Sequence, residues 1–254
     1  MHKLRSPFNT QKNENWNGSR WNYTRSQSNW HFDPSVTDQQ DFQHVCTFEG
    51  DWNENVLQCL DRAVDSTWAT RNMYSSTPDE KKERMYSADT EESDLLKSGA
   101  NPHMVIFKRA QAEDIPIFKN IADYFGMSEC TIKFHNQTTG QMLNWHIDNF
   151  AGREERKNSF RQIAADTNPD LMRRFAIMLD DWRHGQTFSL GNSQWHQWRR
   201  GECITWDWRD IPHATCNMGW ENRPMLQVTG WTSDRTAHIL EDSSKTKIVQ
   251  VSNQ

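Results

Sequence analysis

Residues 130–148, CTIKFHNQTTGQMLNWHID, decide the fold. Two short runs, CTIKFHN (130–136) and QMLNWHI (141–147), flank a turn that ends in Gly140. Five more runs follow in the same texture: RFAIMLD (174–180), QTFSL (186–190), ECITWDW (202–208), HATCN (213–217) and MLQVTGW (225–231). Turns bearing Gly, Asn, Asp or Pro separate them. Short runs of this kind at regular spacing read as a β-sandwich or barrel.

Upstream, the texture is helical. Val56, Leu57, Leu60, Ala63, Val64 and Trp68 recur at helical spacing and predict a helix over 51–72. Met104-Val105-Ile106-Phe107 reads as a short extended run. A second helix is predicted over 114–125, with Asp114 as cap, Pro116 in the first turn, and Ile117, Phe118, Ile121, Ala122 and Phe125 on one face. Gly126 stops it. Four regions result: an irregular aromatic-rich arm over 1–45, a helical and loop segment over 46–100, a β core over 101–235 and a polar tail over 236–254. Helices first and strands afterwards give an α+β plan that is mainly β.

Composition narrows the function classes. The 254 residues carry 13 Trp and 12 Phe although only 35% of residues are hydrophobic, so large rings build the core from few positions. No apolar run approaches the roughly 18–20 residues of a membrane span, and the first 16 residues lack the apolar centre of a secretory signal. A cytoplasmic location with no membrane partner is expected. The net charge of −5, with the two signs interspersed, supplies no electrostatic footprint for nucleic acid. Five widely spaced cysteines include no C-x-x-C pair, so they read as free thiols.

The chemistry concentrates in the β region. His146 and Asp148 stand two residues apart on a predicted strand, so both side chains project to one face. His213, from a later strand, can complete a set of two imidazoles and one carboxylate. That facial set holds a metal and keeps positions open for substrate and oxygen. A second H-x-D, His31-Phe32-Asp33, lies in the arm outside any strand pattern and is set aside. His135, His184 and His196 have no carboxylate two residues on and read as structural. Trp182, Trp195, Trp198, Trp206 and Trp208 read as barrel walls.

The segment from Gly140 through Leu143 to His146 and Asp148 resembles the approach to the metal in Fe(II)/2-oxoglutarate-dependent oxygenases of the prolyl-4-hydroxylase and aspartyl/asparaginyl hydroxylase type. Gln137 stands where that motif has Tyr. His213 followed ten residues later by Arg223 is similar to the family's distal His and Arg. The likeness spans about 101–235.

This resemblance implies a double-stranded β-helix, or jelly roll, with the two helices buttressing one sheet. It implies Fe(II) held by His146, Asp148 and His213, with 2-oxoglutarate and O2 as cosubstrates and succinate and CO2 as products. Arg223 would hold the far carboxylate, a task suited to a planar guanidinium. Met225 stands where the family pattern places a hydroxyl, so Gln227, Thr229 or Lys133 is expected to supply the missing polar contact. Hydroxylation of a peptide, protein or free amino-acid substrate is the implied outcome, with the arm shaping a groove at the barrel mouth. The rivals are nucleobase or nucleotide oxidation, a jelly-roll binding module without turnover, and a zinc hydrolase on the same ligands.

Overall fold

The structure is a computed structural model that describes residues 41–67, 101, 103–146, 171–191, 193–208, 211 and 213–253. Its elements run β1 (Gln43–Glu49), α1 (Asn53–Arg62), β2 (Val64–Thr67), β3 (Val105–Gln111), α2 (Pro116–Tyr124), β4 (Ser128–Gln137), β5 (Gln141–His146) and β6 (Met172–Met178). They continue as β7 (Gln186–Leu190), β8 (Ser193–Trp195), β9 (Glu202–Thr205), β10 (His213–Asn217), β11 (Arg223–Trp231), α3 (Asp234–Glu241) and β12 (Ile248–Gln250).

Two sheets form. The major sheet has the order β12-β1-β9-β6-β11-β4-β3-β2 and the minor sheet β5-β10-β7-β8. From β4 to β11 the chain crosses repeatedly between them, so strands distant in sequence become neighbours. This is the jelly-roll plan, and its central ladder β9-β6-β11-β4 is antiparallel throughout. Gly140 makes the first crossing: its φ of +81° suits glycine, and its N–H donates to the Asn217 carbonyl at 2.8 Å.

Each face of the major sheet buries its own apolar cluster. On the outer face, Phe134, Phe175, Ile177, Leu226 and Val228 meet Cys59 of α1, Ile117, Phe118 and Ile121 of α2, and Ile239 of α3. The helices therefore buttress one sheet. On the inner face, Met172, Ala176, Met178, Ile204 and Met225 meet Phe188, Leu190, Trp195, Trp198 and Trp206. The tryptophans are barrel walls.

Several boundaries differ from expectation. The helix predicted over 51–72 ends at Arg62; Ala63 turns extended, and Val64–Thr67 pairs with β3 as the sheet's edge strand. Over 63–67 the helical period is not used, and Val64 is exposed; Trp68 and the rest of that span lie outside the described residues. The second helix starts at Pro116 with Ile115 at its cap; Asp114 instead accepts from both Arg62 terminal nitrogens at 2.7 and 2.9 Å. Residues 236–254 are not merely a polar tail. They complete α3, capped by Ser233, and supply β12, which pairs in parallel with β1. The β sheet likewise extends beyond 101–235, because β1, β2 and β12 widen it to eight strands. The arm lies outside the described residues up to position 40. No helix among the described residues is long and apolar enough to cross a membrane.

Candidate metal centre and anion cradle

A bulge aims the first histidine. Thr215 pairs with Leu143 and His213 with His146, so Ala214 alone opposes both Asn144 and Trp145. Under strict alternation Trp145 would share the face of Leu143 and His146 would point away. The extra residue reverses that: His146 is 2% exposed and Trp145 is 39% exposed. The bulge also supplies a partner, since His146 Nδ1 donates to the Asn144 carbonyl at 2.7 Å. This bond assigns the proton to Nδ1 and the lone pair to Nε2, the arrangement a metal-binding imidazole needs.

His213 lies directly across the ladder. The two imidazole centroids are 4.1 Å apart, and His213 Nδ1 sits 3.4 Å from the Ile211 carbonyl. Phe188 and Trp206 wall the His213 ring at 6.0 and 5.0 Å between centroids. Two imidazoles brought together in an apolar wall suit a soft-to-borderline divalent cation. Asp148, the carboxylate of the expected triad, lies outside the described residues. Among the described residues no group of three His, Cys, Asp or Glu gathers around a metal position.

Arg223 opens β11 and is 4% exposed. Its Nη1 donates to Gln137 Oε1 at 3.1 Å, while Nε and Nη2 have no hydrogen-bond partner. The guanidinium lies over Trp198 and Phe188, 5.3 and 5.6 Å from their centroids. Burial pushes its pKa down to about 9, with Cys216 opposing the shift. A buried cation with two unfilled donors is costly by itself, and a bound anion is what such a fork accommodates. Phe188 touches both Arg223 and His213, so the cradle and the histidine pair share one interior.

The other expected contacts fall elsewhere. Thr229 accepts from Arg174 Nε at 3.1 Å. Six residues of strand put it about 20 Å from Arg223 along β11. Gln227 and Lys133 oppose each other across the β11–β4 ladder, four residues along from the Arg223–Gln137 pair. None of the three is brought to the guanidinium by the register. Gln137 fills that position, at the place where the family motif has Tyr. Its Nε2 donates to the Ile106 carbonyl at 3.1 Å, which orients Oε1 toward Arg223. Asn217, which no sequence motif marks, is fully buried; its amide donates to the Gln137 and Glu221 carbonyls at 2.8 Å each, and its Oδ1 accepts from the Gly219 N–H. It thereby fixes the turn between β10, which carries His213, and β11, which opens with Arg223.

His135 stacks on Phe107 and His184 packs edge-on to Trp182, as structural histidines. A separate groove of about 440 Å³, lined by Met142, Asn144, Thr187, Ser189, Ala214 and Cys216, lies on the minor sheet's opposite face, away from the buried His146 and Phe188.

No family model and no curated protein sequence matches the chain. Solved structures are similar in fold alone. A cupin 2 conserved barrel domain protein from Salinispora arenicola is 7% identical, with a TM-score of 0.29, covering 54% of this chain and 84% of its own. A predicted oxalate decarboxylase from Thermotoga maritima is 9% identical, with a TM-score of 0.30, covering 49% and 80%. The cupin domain of Schizosaccharomyces pombe Cnp3 is 7% identical, with a TM-score of 0.31, covering 56% and 75%.

Proposed function

We propose that this jelly roll is an Fe(II)- and 2-oxoglutarate-dependent oxygenase that hydroxylates a peptidyl or amino-acid substrate. The observation that carries the reading is a buried pair of imidazoles in one interior with a buried guanidinium whose Nε and Nη2 lack acceptors. His146 and His213 would hold the iron through Nε2, and Asp148 would complete the set. When bound, iron, 2-oxoglutarate and O2 together supply oxidative decarboxylation to succinate and CO2, coupled to insertion of one oxygen atom into the substrate.

The chain's own residues do the rest. Nδ1 of His146 stays committed to the Asn144 carbonyl, so the ring neither rotates nor changes tautomer. Arg223 offers the fork of Nε and Nη2 to the far carboxylate, while Gln137 holds Nη1. Phe188 and Trp198 exclude water around that contact, which strengthens a charge-assisted bond relative to water. The net charge of −5 supports a peptide or amino acid over a polyphosphate substrate, which would be repelled at long range.

Anaerobic titration with Fe(II) and then 2-oxoglutarate tests metal, cosubstrate and site together. The expected result is a metal-to-ligand charge-transfer band in wild type, lost in His213→Ala together with decarboxylation. No band in the wild type, or full succinate production by a folded His213→Ala, overturns the reading. Mass spectrometry of peptide and small-molecule pools then identifies the substrate by the added mass of one oxygen. Succinate stimulated only by nucleosides or oligonucleotides would transfer the activity to nucleobase oxidation.

A further inference from the structure

Among the described residues, four indole N–H groups have acceptors and two buried ones have none. Trp52 donates to the Leu179 carbonyl, Trp182 to Gln186, Trp208 to Met172, and Trp231 to the Glu129 carboxylate. Trp195 and Trp206 are 2% and 3% exposed, and neither Nε1 has a partner. Buried donors are satisfied in the great majority of cases, so two orphans in one place call for an acceptor.

They are in one place. Trp206 packs 5.5 Å and Trp195 6.0 Å from Phe188, centroid to centroid. Phe188 is the ring that also meets the Arg223 guanidinium and His213. Trp206 is itself 5.0 Å from His213, and Trp195 is 5.3 Å from Trp198, the second ring beneath Arg223. Around Phe188, then, stand four donor nitrogens without acceptors: Nε and Nη2 of Arg223 and the two indole Nε1 atoms. All are on tryptophan or arginine, and none can accept.

We infer that Trp206 and Trp195 are binding residues, and that with Arg223 they form a three-sided donor cradle for a dicarboxylate. Arg223 takes the far carboxylate with Trp195 on its side, against Trp198, and Trp206 donates to an oxygen nearer His213. The ligand class follows from the chemistry of the wall. An acid with acceptor oxygens at both ends satisfies every orphan, whereas a monocarboxylate held by Arg223 leaves the Trp206 indole unfilled. The inference rests on the cosubstrate reading above and extends it to two residues that no motif marks. Indoles select against ligands with a donor at that end, because an N–H facing an N–H or O–H is repelled.

The test uses the full chain with indole-15N tryptophan and Zn(II) in place of iron, so that resonances stay sharp. 2-Oxoglutarate is added while calorimetry records binding. Two indole resonances, assigned by their absence in Trp206→Phe and Trp195→Phe, should move downfield along the calorimetric saturation curve. Trp206→Phe should weaken 2-oxoglutarate binding about tenfold, the worth of one buried hydrogen bond, and leave Zn(II) affinity unchanged. Binding to wild type with all indole resonances unmoved overturns the inference and leaves the cosubstrate reading standing. No binding at all overturns both. Should Trp206→Phe fail to fold, the wild-type spectrum still decides, since an absence of any downfield indole shift on saturation is sufficient to sink the proposal.

Discussion

The two faces of the major sheet are built from different residues. The outer face is phenylalanine and branched aliphatic, closed by three helices, and Phe175 stacks flat on Phe125 with centroids 3.9 Å apart. The inner face is tryptophan and methionine, and among it sit Arg223, His213 and indoles without acceptors. Both faces are equally buried. A cluster of hydrocarbon alone gains stability from every contact, whereas one that buries unfilled donors forgoes stability and keeps it available for a ligand. Equal burial therefore hides a difference in chemistry: the inner face gathers guanidinium and indole donors without acceptors around one ring, Phe188.

Breaking the outer face should cost most. Phe175→Ala removes a fully buried ring, and a loss of about 3–5 kcal/mol is expected in urea unfolding. Its cosubstrate affinity, measured on the fraction still folded, should be unchanged. The inner face should behave in the opposite sense. Arg223→Met is expected to lower 2-oxoglutarate affinity by about 2–5 kcal/mol, or roughly 30-fold to several thousand-fold by calorimetry. Its unfolding midpoint should hold or rise, because an incompletely paired buried cation is replaced by hydrocarbon. A stability loss like that of Phe175→Ala would make Arg223 part of the core rather than a binding group.

The smallest effect sharpens the same contrast through pH. Burial pushes the Arg223 guanidinium down to about 9, and only its protonated form attracts a carboxylate. Affinity for 2-oxoglutarate should be level below that pH and fall about tenfold per unit above it, with no such limb in Arg223→Met. Stability of the ligand-free protein moves the other way. The folded-state pKa lies below that of the unfolded chain, so the unfolded state binds more protons above pH 9 and stability rises with pH there.

The seven strand runs were legible because alternation is a property of neighbours two residues apart. All seven lie on strands or continue them at one end. The second helix was legible from its apolar face, Pro116 and Gly126. The first was overextended: Ala63 and Val64 keep the helical period, yet the edge of β3 offers Val64–Thr67 a ladder that no local pattern announces. The C-terminal residues read as tail because β12 is three residues long and finds its partner, β1, some two hundred positions away. At the site, His213 and Arg223 were visible as a spacing, while Gln137 was visible only as a mismatch.

What the chain determined by itself is local: which runs extend, which coil, and where imidazole and guanidinium side chains fall along them. What tertiary structure decided is direction and pairing. The bulge opposite Ala214 turns His146 inward, the β4–β11 register sets Gln137 against Arg223 and carries Thr229 away, and the crossing of strands gathers Trp195, Trp206 and Arg223 around Phe188. The reason is that a period of two specifies two faces but not which one is buried. That choice belongs to partner strands far along the sequence, and a single inserted residue reverses it.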